Sequence, residues 1–548
     1  MARAMSKPAE YNLKFPSVFP LTAKDRSRIE KEIASMSVEE LAGQMIMQGF
    51  NPAFANETDP AFKRLENLVR RNKVGGFVAF VGSINNYSWV TNRLQQISDR
   101  PLLFGADFER GLAMRIEGMT QFPHNMALGV ANNKRAVYDF AKTVGLESRA
   151  IGIHQNYAPV LDLQEVSDNP IVNIRAFSRD PKVVSELGAS FVRGCGSARV
   201  LSTAKHFPGH GSTDVDSHQD VPVISKPLKK FYEEDLLPFK KAIKAGVHSV
   251  MVGHLIVPAL DESNLPAVIS KKMITGLLRE KLKFDGLIVT DAMCMQAICN
   301  YYTVRDATVR SIEAGSDILL VNGDDEVSCD AILEACKSGR LTRERLESSV
   351  RRILAAKIWL GLYKNRFTDP QKIPSIVNTK KSENLAFRIG KDALRIKVRK
   401  GQTAIKLGGK IGCMGISDKT EGAQEIKFHE MINENLSTAF NFIINPRWRE
   451  EEFRKIVESV KEVDSLIVPV FVRIRAYQGK VKLAPLQEKL IKWLPKSGKK
   501  YIIISFGDPY YFENYPGLTN LIFTYSDSQY SQKAVISALM GNYKIRKV

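Results

Sequence analysis

GLIVTDAM, residues 286–293, is an apolar run that ends on a carboxylate, and its reading decides the fold. A strand with no polar face must be buried on both sides, as in a parallel sheet covered by helices. Seven other runs share that character: QMIMQGF (44–50), GGFVAFV (75–81), LLFGADF (102–108), HQNYAPVLDL (154–163), STAKHF (202–207), SVMVGHLIV (249–257) and DILLV (317–321). Each is followed by a helix-like segment, so the pattern predicts a closed (β/α)8 barrel of the TIM type.

The intervening segments carry apolar residues at helical spacing. RIEKEIASMSVEELAGQM (28–45) opens the domain as a predicted helix, and RAVYDFAKTVGLESRA, KKFYEEDLLPFKKAIKAG and RERLESSVRRILAAKIWLGL follow. The KAG of 244–246 and the EAG of 313–315 read as left-handed helix caps. Periodicity fails over 365–381, where Pro, Asn, Thr and Lys collect, which marks a linker. The runs GGKIGCMGI, NFIINP, SLIVPVFV, KYIIISFG and NLIFTY then alternate with helical stretches, predicting a smaller α/β/α sandwich. The expected division is a barrel over 1–364, a linker over 365–381 and a second domain over 382–548.

Composition agrees with a folded chain of at least two domains: 548 residues, 44% hydrophobic and 25% charged. The formal charge of +20 favours anionic partners. Its basic runs, KPLKK (226–230), RIKVRK (395–400) and KSGKK (496–500), lack a recognition helix or an aromatic strand and read as solvated faces, not as a nucleic-acid footprint. The six cysteines form no CxxC pair, which suits reduced thiols and a cytoplasmic protein. No signal-like or membrane-spanning run is expected; a secreted or periplasmic location would need a leader ahead of Met1. Oligomeric state is not read from the sequence.

Chemistry-bearing residues collect at the C-terminal ends of the predicted strands, where the loops of a parallel barrel converge. Asp107, Glu109 and Arg115 follow the third run, Arg175 the fourth, Lys205 and His206 lie on the fifth, and His254 on the sixth. Asp291 ends the seventh. A carboxylate after so apolar a strand is either paired, used, or the N-cap of the following helix.

KHFPGHGSTDVDSH (205–218) holds three of the eight histidines. Pro208 and Gly209 prevent His206 and His210 from sharing a helical face. A loop gathering His206, His210, Asp214 and His218 around a metal is one reading, though the spacing matches no metal-ligand pattern. The other is acid–base chemistry by Asp216 and His218, a carboxylate that orients and supports an imidazole. No Ser or Cys nucleophile accompanies them. The available nucleophile is Asp291, as in retaining glycoside hydrolysis.

These motifs, SVEELAGQM, DxE…R, NPIVNIRAFS, KHFPGHG with DSH, and VTDAM, resemble the family 3 glycoside hydrolases, and within them the β-N-acetylglucosaminidase branch, over nearly the whole chain. The resemblance implies Asp291 as nucleophile and Asp216–His218 as an acid/base dyad. It also implies sugar-hydroxyl contacts from Asp107, Arg115, Arg175, Lys205 and His206, with no metal or organic cofactor. His210 reads as structural, and His254, Glu109 and His154 as packed barrel residues. Glu109-Arg110-Gly111 and Ala176 depart from the family's common Glu-Gly-Gly and Arg-Ser-Phe-Ser. The implied substrate is a carbohydrate with terminal β-linked GlcNAc, from peptidoglycan fragments during recycling or from chitin oligomers. The alternatives are a β-glucosidase or β-xylosidase, a GlcNAc phosphorylase, or a catalytically silent carbohydrate-binding protein.

Overall fold

Each of the eight apolar runs forms a parallel strand: β1 (Ile46–Phe50), β2 (Gly76–Ala79), β3 (Leu103–Ala106), β4 (Gln155–Asn156), β5 (Leu201–Phe207), β6 (Ser249–Val252), β7 (Leu287–Ala292) and β8 (Ile318–Val321). They pair in sequence order, and β1 pairs with β8, closing the barrel. The structure, a computed structural model, describes residues 15–548 except 55, 214, 218, 324, 399–406, 421 and 474–481. The N-terminal stretch read for a leader and the end of the basic run at 395–400 thus fall wholly or largely outside the described residues. Among those described, no helix is long and apolar enough to cross a membrane.

Three local expectations need correction. The opening helix is two, Ala23–Ser35 and Val38–Gln44, because Ser37 and Glu40 form a capping box that starts a second helix inside the periodic run. KKFYEEDLLPFKKAIKAG likewise splits into Leu228–Glu233 and Leu236–Lys244, with Pro238 in the first turn of the second, where its missing N–H is tolerated. The fourth strand is much shorter than 154–163. Pro159 has no donor to offer a ladder, and beyond Asn156 the chain meets β5 through one bond from Thr203 N to Ala158 O at 2.8 Å and one isolated bridge, Lys205 N to Pro159 O at 3.1 Å and Leu161 N to Lys205 O at 2.7 Å. Gly246 and Gly315 do take positive φ, +85° and +123°, at the helix ends expected of them.

The second sheet contains β9 (Arg395–Lys397), β10 (Ile411–Ser417), β11 (Phe440–Ile444), β12 (Ser465–Val472), β13 (Lys500–Gly507), β14 (Leu521–Phe523) and β15 (Arg546–Lys547), in the order β11-β10-β12-β13-β14-β9-β15. Strands β10 to β14 pair in parallel, and β9 lies antiparallel to β14. Along β12, Leu466, Val468, Val470 and Val472 face one apolar layer while Ile467 and Phe471 face another. That alternation buries both faces of the sheet. Ile456 and Leu490 cover the first from their helices, and Phe428 and Val535 the second. The result is a three-layer α/β/α sandwich.

The segment 365–381 is held against the barrel. Asn92 bonds the backbone of Thr368 on both sides, at 3.0 and 2.8 Å, and Ile373 and Val377 are buried in the barrel's own core. The following helix, Lys380–Ala393, contributes Leu385, Ala386 and Ile389 to that core. Its apolar stripe therefore belongs to the barrel side of the join.

Candidate active site

Strand alternation would send Lys205 and His206 to opposite faces of β5. The register of β5 against β6 shifts between Ala204 and Phe207, and that of β7 against β8 between Val289 and Ala292. Such irregularities re-aim side chains. Lys205 and His206 both lie near enough to Asp291 to favour its ionised form.

Lys205 is at the centre of the site, with 3% of its side chain exposed. Its Nζ lies 2.8 Å from Asp107 Oδ1 and 2.8 Å from Glu109 Oε1. Asp107 also accepts from Arg115 Nη2 at 2.9 Å, and Glu109 receives a two-pronged bond from Arg175 at 2.7 and 3.0 Å. Two carboxylates thus alternate with three cations. Burial alone would raise Asp107, but Lys205 and then Arg115 outweigh it and hold its carboxyl below the usual range. Burial acts the same way on Glu109, and Arg175 and Lys205 drive it well below. The same two carboxylates outweigh burial at Lys205 and raise it, so its ammonium keeps its charge.

His206 hangs from a second buried carboxylate. Asp162 Oδ2 lies 2.6 Å from His206 Nδ1, and the same side chain accepts the backbone N–H groups of His206 at 3.1 Å and His210 at 2.8 Å. An ionised carboxylate only accepts, so Nδ1 carries the proton and Nε2 is the ring's remaining polar atom. Despite burial, His206 and His210 keep Asp162 below its ordinary range.

Asp291 is part of β7, and the helix that follows, Gln296–Cys299, has Met295 at its N-cap position, with no side-chain cap. The N-cap reading is therefore wrong: the strand runs past the carboxylate. Asp291 accepts a 2.8 Å bond from the Ala292 N–H. Burial would raise it, but His206, His254 and that N–H outweigh the penalty, and the carboxyl is held down. It is ionised at neutral pH, the state a nucleophile needs.

The loop after β5 is built tightly at its start. A Cβ on Gly211 would lie 1.9 Å from the Leu163 carbonyl oxygen, and Gly209 takes φ +139°. Both glycines of PGHG thus answer to backbone demands. Asn169 Nδ2 donates to the carbonyls of His210 and Gly211 at 3.0 and 3.2 Å. The ring of His210 differs from the structural reading. Its backbone bonds Asp162, but neither ring nitrogen has a hydrogen-bond partner among the described residues, and burial pushes its pKa down to about 4. Asp216 is buried further along the loop. His218 and Asp214 lie outside the described residues.

Glu109, Asp162 and His254 were passed over or set aside in the sequence, yet all three belong to this cluster; His254 lies 3.0 Å through Nε2 from the Ala292 carbonyl. A signal existed for two of them. Glu109 is two residues from Asp107, at the same strand end where a parallel barrel gathers its functional side chains. Asp162 is a lone carboxylate in the apolar run PVLDL, where the argument applied to Asp291 holds equally.

The second domain reaches the rim of this cluster. Ser526 Oγ lies 3.0 Å from His124 Nδ1, and Asp527 lies near Arg110, the arginine that departs from the Glu-Gly-Gly pattern. A cavity of about 190 Å3 is lined by Glu109, Arg110, His124, Asn125, Arg175 and the apolar Met114, Val172 and Ile174. The segment SFGDPY (505–510) and the residues just after it support the loop that carries Arg175: the Arg179 guanidinium is 4.2 Å from the Tyr510 ring centroid, and Ser167 donates to Glu513 at 2.9 Å.

A closed parallel barrel whose charged side chains converge where its strands end is a TIM-barrel protein with its functional face at the strand C-termini. Residues 32–356 match the glycosyl hydrolase family 3 N terminal domain, and the chain belongs to that family. A beta-hexosaminidase A of Pseudoalteromonas piscicida is 35% identical over 326 residues, 54% of this chain and 54% of that protein. A beta-N-acetylglucosaminidase/beta-glucosidase of Cellulomonas fimi is 30% identical over 345 residues, 61% of this chain and 60% of that protein. The chain thus spans just over half the length of these curated relatives. A solved glycoside hydrolase family 3 beta-N-acetylglucosaminidase from Paenibacillus sp. str. FPU-7 aligns with a TM-score of 0.82 and 28% identity, over 94% of this chain and 98% of that one. The beta-glucoside phosphorylase BglX, 22% identical with a TM-score of 0.87 over 97% of both chains, shares the fold.

Proposed function

We propose that the protein is a retaining exo-β-N-acetylglucosaminidase that removes terminal β-linked GlcNAc from peptidoglycan fragments or chitin oligosaccharides. The observation that carries this reading is Asp291, a partly exposed carboxylate kept ionised at the end of β7 beside Lys205 and His206. Names borne by relatives of this chain support the sugar: hexosaminidase and beta-N-acetylglucosaminidase.

In the first step the Asp291 carboxylate attacks the anomeric carbon while the Asp216–His218 dyad gives its proton to the departing glycosidic oxygen. A glycosyl ester on Asp291 results. In the second step water loses a proton to the dyad, attacks the same carbon and releases Asp291, so two inversions retain the anomeric configuration. Lys205, Asp107, Arg115, Arg175 and His206 grip the sugar hydroxyls. Because their charges are fixed before substrate arrives, little reorganisation accompanies the oxocarbenium-like transition state. An open groove of about 590 Å3 between Val166–Asp168 and the loop residues Ser212, Thr213, Val215, Val221 and Val223 adjoins the loop that carries Asp216. The free thiols Cys195, Cys329, Cys336 and Cys413 support a reducing compartment, the cytoplasm.

The test is product release from a chromogenic β-N-acetylglucosaminide and the matching β-glucoside, with and without phosphate. Release of GlcNAc that disappears in His218→Ala is the expected result. Turnover of the glucoside alone, the second activity in the name of the Cellulomonas fimi relative, would replace the sugar assignment. Strict phosphate dependence would make the second step a phosphorolysis.

A further inference from the structure

The chain leaves β5 into the loop that carries Asp216 and re-enters regular structure at the helix Leu228–Glu233. Between these points lies a charged knot that the chemistry above does not use. Lys226 Nζ, with 8% of its side chain exposed, lies 2.5 Å from Glu165, 2.7 Å from Glu234 and 2.6 Å from Asp235. These three carboxylates approach one another closely enough to hold a cation, and the Lys226 ammonium occupies that place.

The knot touches the loop at both ends. Glu165, in the segment after β4, grips Lys226 at the loop's exit with one oxygen and accepts from Ser212 Oγ at its entrance, at 2.6 Å, with the other. Asp235 packs against Gly209, where an added Cβ would lie 3.1 Å from the Asp235 Cβ. A pair of backbone bonds beside the exit ties the chain to the β6 side, Ile224 N to Ile256 O at 2.8 Å and Ile256 N to Pro222 O at 3.0 Å. Residues 213–221, Asp216 among them, span the interval between these anchors.

We propose that Lys226 is a positioning residue for proton transfer: gripped by Glu165, Glu234 and Asp235, its ammonium fixes both ends of the loop that presents Asp216. This rests on the reading of Asp216 as part of the acid/base pair. Three carboxylates around one ammonium leave excess negative charge. Burial and the neighbouring Glu165 push the Asp235 carboxyl up to about 7, as that excess requires. Without the ammonium the carboxylates repel, Glu165 is freed from its place between Ser212 and residue 226, and the loop ends separate. General-acid catalysis depends on placement within hydrogen-bond reach, so its loss appears only where the leaving group needs a proton.

The experiment compares two β-N-acetylglucosaminides: a 2,4-dinitrophenyl glycoside, whose leaving group departs unprotonated, and an alkyl glycoside, whose leaving group does not. Lys226→Met is expected to lose about 10- to 100-fold in kcat/KM on the alkyl substrate and to stay within about threefold on the activated one. Lys226→Arg keeps both. Equal losses on both substrates, or none on either, would overturn the assignment. If Lys226→Met does not fold, Glu165→Gln carries the same expectation, and absence of the split there would overturn it equally. Wild-type protein inert on every such glycoside would sink the glycosidase reading and this inference with it; wild-type turnover without a split in the variants sinks only the inference.

Discussion

Glu109 Oε1 lies 2.8 Å from Lys205 Nζ, so the ammonium of the KHFPGHG motif is shared by two carboxylates, one of them set aside by its local sequence. Lys205→Met leaves half-buried Asp107 and buried Glu109 without their common cation, each held only by its arginine. We expect turnover to collapse and stability, read from urea unfolding midpoints, to fall by less than about 3–5 kcal/mol, the cost of a fully uncompensated buried charge. Adding Glu109→Gln recovers part of the stability and none of the turnover, because Asp107 still lacks the lysine.

Asp291→Ala is expected to reduce kcat by about 10^4-fold or more. Azide fits the space vacated by the carboxylate and attacks the anomeric carbon from that face, so the variant supplied with azide and an activated β-glycoside should yield the α-glycosyl azide. A β-azide, or near-normal turnover, would remove the nucleophile assignment.

Glu147 joins the helix Lys134–Ala150 to the start of the Lys380–Ala393 helix, accepting from Ser382 Oγ at 3.0 Å. Burial lifts its carboxyl to about 7 against the few opposing hydrogen bonds. Because the folded value is raised, its contribution is complete below the ordinary glutamate range near pH 4.5 and is lost as pH rises toward 7. The loss is on the order of 3 kcal/mol. Glu147→Gln should flatten the decline of unfolding free energy between pH 5 and 8; an unchanged slope would contradict it.

Gly211→Ala places a methyl 1.9 Å from a carbonyl oxygen, whereas Gly246, at φ +85°, has open space around it. Gly246→Ala should cost about 1 kcal/mol for its left-handed backbone alone. Gly211→Ala must move the chain after β4 or the loop itself, and should lose both several degrees of Tm and most activity.

Much of the architecture was legible in composition and periodicity. Seven of the eight barrel strands lie wholly within the apolar runs and β5 begins one residue earlier, at Leu201, since strands covered on both faces must be apolar throughout, and the alternation in SLIVPVFV matches a sheet with two buried faces. Element ends were less legible. The capping box at Ser37 and the missing donor of Pro159 are single-residue effects inside longer periodic patterns.

In the site, the sequence by itself determined which residue types stand at the strand ends and which glycines the loop needs, because these follow from local geometry. Only the tertiary structure decided that Asp291 continues a strand and does not cap a helix, that Glu109 and Asp162 hold Lys205 and His206, and that Arg110 lies near Asp527. The partners come from strands and domains distant in the chain. Their pairing depends on barrel closure and domain packing, and the attractions that keep these carboxylates ionised exist only once those distances are set.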